Sequence, residues 1–160
     1  MEIHVAAGTA RGRTELAAYD AALADANLHN YNLVTVSSVV PAGASVRVVD
    51  EAPPLGPPGN RLTVVQARAD ATPADAHETE RAVAGLGWAT GPGPGLFYEA
   101  TGADADVVRR TVEEGLADGR ALREWEFTDE ETLVAETDTS ADAYTAAVVV
   151  AAYGESEPVA

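Results

Sequence analysis

A pair of adjacent serines, Ser37 and Ser38, interrupts the stretch NYNLVTVSSVVPAG, residues 30–43, which is otherwise typical of a buried apolar strand. A serine hydroxyl can attack the carbonyl of the preceding residue and convert the amide into an ester. Elimination at Ser38 would then cut the chain, and hydrolysis with loss of ammonia would leave a ketone as the new N-terminus. The pair is therefore a candidate self-cleavage site, although most serines of this kind serve in turns or caps.

The remaining residue inventory restricts the chemistry that the chain can perform. It contains no cysteine, which excludes disulfides, thiolate ligands and a cysteine nucleophile. His4, His29 and His77 are not at metal-ligand spacing, so no metal site is expected. There is no Gly-x-Ser-x-Gly motif of a serine hydrolase, and the prolines of GPGPG, residues 91–95, lack the N–H groups of a phosphate-binding loop.

The chain also lacks lysine, because all of its basic residues are arginine. Pyridoxal phosphate therefore cannot be held as an internal Schiff base, and the only amine nucleophile is the N-terminus. A protein of this composition that handled amino acids through imines would have to make its electrophile from the backbone. A ketone formed at Ser38 would perform the electron-sink role of pyridoxal phosphate.

Two helices are predicted. Thr14 is placed to cap the first, which covers residues 13–27, and Gly119 is expected to end the second, which covers residues 104–119. The apolar face of the first helix is expected to consist of Leu16, Tyr19, Ala22, Leu23 and Ala26. The core positions of the second are expected to be Val107, Val108, Val112 and Leu116.

The other segments predict about seven or eight strands, so the fold class is α+β with packed sheets covered by helices. A turn through Gly8 and Gly12 is expected after the first strand. A tight connection is expected between residues 32–40 and residues 45–52. The proline-rich residues 52–60 are expected to form a surface loop. Nine segments have strand signals, and one of them, residues 80–90, could equally begin as a helix. The nine are residues 2–8, 32–40, 45–52, 61–70, 80–90, 96–101, 122–129, 131–138 and 144–153.

The charge is strongly acidic, with 26 acidic against 10 basic residues and a net charge of −16. Electrostatics therefore oppose nucleic acid and anionic membranes as partners. An acidic, lysine-free surface suits very salty cytoplasm, so a halophilic source is inferred. The alternative to a halophilic source is an ordinary acidic protein of a GC-rich genome. No signal-like segment or long apolar run occurs, so a cytoplasmic protein is expected.

Three segments, TELAAYDAALADANLHNYNLVTVSSVVPAG, GLGWAT and GLFYEATG, resemble the pyruvoyl-dependent arginine decarboxylase family in order and spacing. The resemblance extends over nearly the whole chain, to the final VVVAAYG. It implies a single domain, residues 1–160, that is cut between Ser37 and Ser38 into a β chain of residues 1–37 and an α chain of residues 38–160. The α chain would begin with a covalent pyruvoyl group derived from Ser38.

The same resemblance implies a four-layer αββα sandwich, two β-sheets flanked by helices, assembled as a homotrimer with active sites between subunits. It places Asn32, six positions before Ser38, as an amide that assists processing and lies close to the pyruvoyl group. Glu99 matches the general acid of the family, and its apolar neighbours favour a raised pKa. Asp20 matches the carboxylate that pairs with the substrate guanidinium.

From the residues alone, these three positions have ordinary structural explanations. Asn32 could open a strand, Glu99 could face solvent and Asp20 could be an exposed helix charge.

The reaction implied is decarboxylation of L-arginine to agmatine and carbon dioxide. Two alternatives remain open, namely a decarboxylase of another amino acid and an unprocessed homologue that binds amino acids or serves as an assembly subunit.

Overall fold

Two β-sheets pack face to face, and each is covered on its outer side by one α-helix, in the computed structural model that describes residues 1–77 and 81–160. This confirms the predicted α+β class with two sheets flanked by helices. No helix of the described residues is long and apolar enough to cross a membrane. The elements are β1 Glu2–Gly12, α1 Glu15–Asp25, β2 Asn32–Thr35, β3 Val39–Val40, β4 Ser45–Val48, β5 Arg61–Ala71, β6 Arg81–Thr90, β7 Gly95–Gly102, α2 Ala105–Ala121, β8 Asp129–Asp138 and β9 Tyr144–Tyr153.

The larger sheet has the order β2-β5-β9-β1-β4 and the smaller sheet has the order β3-β7-β6-β8. Strand β9 is central, and its residues from Thr145 to Ala152 are all buried. Alternate side chains explain this continuous apolar run, because Val149 faces the smaller sheet whereas Val148 faces α1. The run therefore indicates a strand with both faces covered.

Helix α1 begins as predicted, because the Thr14 hydroxyl accepts a hydrogen bond from the Ala17 N–H at 3.0 Å. The prediction was wrong for Leu16, whose side chain is 70% exposed. Ala18 and Ala22 form the stripe against the larger sheet instead. Leu16 lies one turn before Asp20, so both occupy the face of the helix that is turned away from the core.

Helix α2 is capped by the Asp104 carboxylate and buries Val108, Val112 and Leu116 at four-residue spacing. Val107 was predicted to be in the core but is 50% exposed, because it lies beside this stripe rather than within it. The prediction that Gly119 ends the helix was also wrong, since the helix continues to Ala121.

Some strand predictions require correction. Strand β1 continues through Gly8 and Gly12, where a turn was expected. A side chain at Gly8 would collide with the Ala22 carbonyl, so this glycine permits close packing of α1 on β1. Residues 122–128 are irregular instead of forming a strand, and Glu80, the expected start of β6, lies outside the described residues.

The glycines of GLGW serve the same purpose on the other side of the molecule. A Cβ atom at Gly85 would lie 2.6 Å from a Val108 methyl group, and one at Gly87 would lie 2.9 Å from a Leu116 methyl group. Both distances are too short for carbon atoms in contact. Helix α2 therefore lies directly on the backbone of β6, and this fixes its distance from β7, which is the next strand of the sheet.

Gly87→Val is expected to lower the free energy of unfolding by about 1–3 kcal/mol because the added methyl groups overpack the contact with α2. Urea unfolding followed by circular dichroism measures this. Gly93→Val is the matched control, since nothing lies within 4 Å of the added Cβ atom. Equal stability of the two variants would contradict the close approach of α2.

Candidate active site

The segment that contains the two serines crosses from one sheet to the other. Strand β2 is an edge strand of the larger sheet, parallel to β5, and β3 is an edge strand of the smaller sheet, antiparallel to β7. The last backbone hydrogen bond from β2 and the residues after it to β5 joins the Val36 N–H to the Val64 carbonyl, 2.9 Å. The predicted strand of residues 32–40 is thus broken at residues 36–38, because the chain changes its pairing partner there.

The peptide between Ser37 and Ser38 lies in a tight hydrogen-bonded turn. The Val39 N–H donates to the Ser37 carbonyl at 3.0 Å, two residues back, which is the bond of a γ-turn centred on Ser38. Among the described residues, Asn27 is the only non-glycine with positive φ, so the turn is of the inverse type. The carbonyl that self-cleavage would attack is therefore already polarised by a backbone donor.

The peptide unit between Ser38 and Val39, which follows the scissile unit, is held at both ends, and the Phe97 N–H of β7 holds its carbonyl. It donates to the Ser38 carbonyl at 2.8 Å, while the N–H of that unit, on Val39, turns back to Ser37. A peptide unit is planar, so two hydrogen bonds at its two ends fix its orientation. No hydrogen bond to another described residue occupies either serine hydroxyl, which leaves the Ser38 hydroxyl free for attack.

The two serines line a cavity of about 420 Å³ between β7 and the second half of α2. The Tyr98 ring packs against Gly115, and Asp118 and Arg123 also line the cavity. Arg123 is held by a hydrogen bond of 2.9 Å to the Gly119 carbonyl. The serines are accordingly accessible from this side, with one acidic and one basic group nearby.

Glu99 lies on β7, two residues after Phe97, and it pairs with Leu86 of β6. Successive side chains of a strand alternate, so Glu99 shares the face of Phe97, which is the face toward the larger sheet. Glu99 is nevertheless exposed, and it does not line the cavity of the serines. The desolvated setting expected for it is not provided by a single chain.

Asp20 and Asn32 lie together in a second cleft, of about 640 Å³, between α1 and β2. Within residues 1–77 and 81–160, no hydrogen bond or ion pair occupies the Asp20 carboxylate. The Asn32 side-chain amide donates to the Gly59 carbonyl at 2.7 Å. A free carboxylate in an open cleft is suited to receive a cation.

A side-chain network positions the helix that carries Asp20. The Tyr19 hydroxyl donates to Gln66 Oε1 of β5 at 2.8 Å, and the Arg68 guanidinium lies 3.7 Å above the Tyr19 ring. The Gln66 amide in turn donates to the Thr35 hydroxyl of β2 at 3.4 Å. Helix α1 is thereby tied to the strand that leads to the serines.

Each chain therefore brings together the predicted residues in two separate groups. Ser37 and Ser38 lie in one cavity, with Glu99 on the adjoining strand, whereas Asp20 and Asn32 line a different cleft.

Sequence reasoning missed three residues beside the serines: Val39, Phe97 and Tyr153. The first two act through backbone groups, for which side-chain types carry no signal. Tyr153, at the end of β9, donates its hydroxyl hydrogen bond to the Val39 carbonyl at 2.8 Å. Burial raises the pKa of Tyr153 to about 12, because the phenolate would be poorly solvated.

The family model for pyruvoyl-dependent arginine decarboxylase (PvlArgDC) matches residues 2–158. The chain belongs to this family. A pyruvoyl-dependent arginine decarboxylase of Halobacterium salinarum is 49% identical over 159 residues, which cover 98% of this chain and 96% of the relative. The enzyme of the same name from Pyrococcus horikoshii is 35% identical over 153 residues, covering 92% of each chain.

Membership of the pyruvoyl-dependent arginine decarboxylase family implies a covalently bound pyruvoyl group. The residues present fit such a group at position 38. Ser38 has an unoccupied hydroxyl, its preceding carbonyl accepts a backbone hydrogen bond, and its own carbonyl is held by Phe97.

Proposed function

We propose that this chain cuts itself between Ser37 and Ser38 and then uses the pyruvoyl group formed from Ser38 to decarboxylate L-arginine to agmatine and carbon dioxide. The observation that carries the proposal is the hydrogen-bonded turn at Ser38, in which the Val39 N–H donates to the Ser37 carbonyl. Family membership supports the choice of reaction.

In the cleavage reaction, the Ser38 hydroxyl oxygen bonds to the Ser37 carbonyl carbon, and the C–N bond between the two residues breaks. The product is an ester with a free amine on Ser38. Loss of the Ser38 α-proton and cleavage of its Cβ–O bond release Ser37 as a carboxylate. The remaining dehydroalanine takes up water, loses ammonia and becomes the ketone.

The position of the Val39 N–H supports the first of these steps. Negative charge develops on the Ser37 carbonyl oxygen as the hydroxyl attacks, and a donor at 3.0 Å that is already aligned stabilises it without reorganisation.

The pyruvoyl group supplies a ketone that condenses with an amine and withdraws electrons from the bond that breaks. The chain's own residues orient that chemistry. The Phe97 N–H holds the carbonyl of residue 38 in its plane. Glu99, on the same strand, is proposed to deliver a proton to the α-carbon after carbon dioxide leaves.

Asp20 is proposed to bind the guanidinium group of arginine, because a carboxylate accepts two parallel hydrogen bonds from that planar fork. Its carboxylate is unoccupied among the described residues, which leaves it available. Asn32 is proposed to supply an amide close to the pyruvoyl group and to assist processing.

Because Asp20 and Asn32 line a different cleft from Ser38, we propose that a complete site forms between two chains of a homotrimer. Exposed apolar side chains around the serines support burial by a second copy. These residues and their exposed fractions are Val34 45%, Val36 38%, Val39 41% and Tyr98 40%. The same burial would desolvate Glu99.

The acidic, lysine-free composition supports a cytoplasmic protein from a halophilic organism, and the similarity to the Halobacterium salinarum enzyme agrees with this. At high salt, screening reduces the repulsion that a net charge of −16 creates within the chain.

Ser38→Ala is expected to remain one uncut chain without arginine decarboxylase activity, because no hydroxyl is present to attack the Ser37 carbonyl. Denaturing gels and release of carbon dioxide from carboxyl-labelled arginine measure both effects. Ser45→Ala, at an exposed serine of β4, is the matched control and should be cut and active. An uncut Ser38→Ala chain with full activity would exclude the mechanism.

Glu99→Gln keeps the size of the side chain but removes the transferable proton. The turnover number per cleaved chain is expected to fall by about 100-fold or more, as is typical when a general acid is lost. The control is Glu113→Gln, at an exposed position of α2. Unchanged turnover per cleaved chain would remove Glu99 from the catalytic role.

A mixing experiment tests whether the site spans two chains. Asp20→Asn alone should raise KM for arginine about 10-fold to 100-fold through loss of the charged hydrogen bonds. When the Asp20→Asn chain is co-assembled with the Ser38→Ala chain, activity with a low KM for arginine should return. Some sites then combine the intact Ser38 of the first chain with the intact Asp20 of the second. Asp142→Asn, in an exposed loop, should leave KM unchanged. Activity equal to the sum of the separate variants would place the site within one chain.

A further inference from the structure

Tyr153 connects the two sheets beside the scissile peptide. It ends β9 in the larger sheet, and its hydroxyl donates to the carbonyl of Val39 in β3 of the smaller sheet at 2.8 Å. Strand β3 contains only Val39 and Val40, so its own ladder with β7 supplies few hydrogen bonds. A side-chain bond from outside the sheet is therefore a substantial part of what holds this strand in place.

The ring of Tyr153 also contacts the residue that holds Ser38. Its centroid lies 6.0 Å from that of Phe97, at an interplanar angle of 48°. Phe97 binds the Ser38 carbonyl through its N–H, and Tyr153 binds the Val39 carbonyl through its hydroxyl. Two packed aromatic residues thus hold the two consecutive carbonyls that follow the scissile bond.

These two contacts restrict rotation at Val39. The peptide unit before Val39 is fixed by Phe97 and by the bond to Ser37, and the unit after it is fixed by Tyr153. Because each unit is planar, only the two dihedral angles of Val39 connect them. Holding the second unit therefore keeps the Val39 N–H directed at the Ser37 carbonyl.

We propose that Tyr153 is a positioning residue for self-cleavage, which holds the turn at Ser38 in its reactive conformation through the hydrogen bond to the Val39 carbonyl. This inference rests on the proposed cleavage between Ser37 and Ser38. Tyr153 takes no part in bond making; it acts through Val39.

The bond requires a protonated phenol. Burial raises the pKa of Tyr153 to about 12, so the hydroxyl remains a donor at neutral and moderately alkaline pH.

Tyr153→Phe tests the proposal, because it removes the hydroxyl and keeps the ring against Phe97. The chain is made by cell-free translation, and its conversion into two fragments is followed on denaturing gels. The rate should fall about fivefold to tenfold, as expected for one hydrogen bond. Tyr144→Phe, at the half-buried start of β9, should be cut at the unchanged rate.

A second control separates positioning from general stability. Val148→Ala removes buried apolar contacts between β9 and α1 and should lower the unfolding midpoint while leaving the cleavage rate of the folded chain unchanged. Tyr153→Phe should instead slow the cleavage of the folded chain and leave the unfolding midpoint nearly unchanged. A rate loss in Val148→Ala equal to that in Tyr153→Phe would reduce Tyr153 to a structural role and overturn the proposal.

A pH profile provides an independent readout. Difluorotyrosine at position 153 keeps the shape of tyrosine but has a more acidic phenol, so it loses its donor at lower pH than wild type. The rate relative to wild type should fall as pH rises through the pKa of this phenol. Equal cleavage rates for wild type, Tyr153→Phe and the fluorinated chain would overturn the proposed role of Tyr153 but not the cleavage itself. An uncut wild-type chain would overturn the cleavage proposal.

Discussion

The hydrogen bond from the Val39 N–H to the Ser37 carbonyl is the interaction on which the proposed chemistry depends. It exists because the chain leaves the edge of one sheet at Val36 and joins the edge of the other at Val39, which leaves no room for extended backbone between them. If the strand continued in either sheet, the Val39 N–H would donate to a carbonyl of the adjacent strand. The change of sheet turns it back onto its own chain, where it polarises one particular carbonyl.

Close packing of the layers keeps the two edges at the required separation. Gly85 and Gly87 let α2 lie on the backbone of β6, and Gly8 does the same for α1 on β1. Twelve of the sixteen buried residues between the sheets are alanine or valine, and these small side chains let the two sheets approach closely. Each chain has an Asp20 carboxylate that no described residue occupies and an exposed Glu99, and the proposed trimer would complete both positions.

The sequence alone predicted the elements whose signals are local, such as the Thr14 cap and the apolar run of β9. It could not predict that residues 32–40 change sheets, because periodicity reports burial and not the identity of the pairing strand. Leu16 and Val107 were misplaced for a related reason, since an apolar side chain beside a helical stripe looks like a member of it. The roles of Asn32, Glu99 and Asp20 came from family resemblance, and Tyr153 has no signal of its own in the sequence.

The intact mass of the purified wild-type protein, together with its arginine decarboxylase activity, tests the central claim most directly. Two fragments are predicted, residues 1–37 with an ordinary carboxylate end and residues 38–160, lighter than a serine-initiated chain by the difference between serine and a pyruvoyl group. The second fragment should resist N-terminal sequencing, because it carries no terminal amine. A single chain of 16.5 kDa that decarboxylates arginine at full rate would contradict the account.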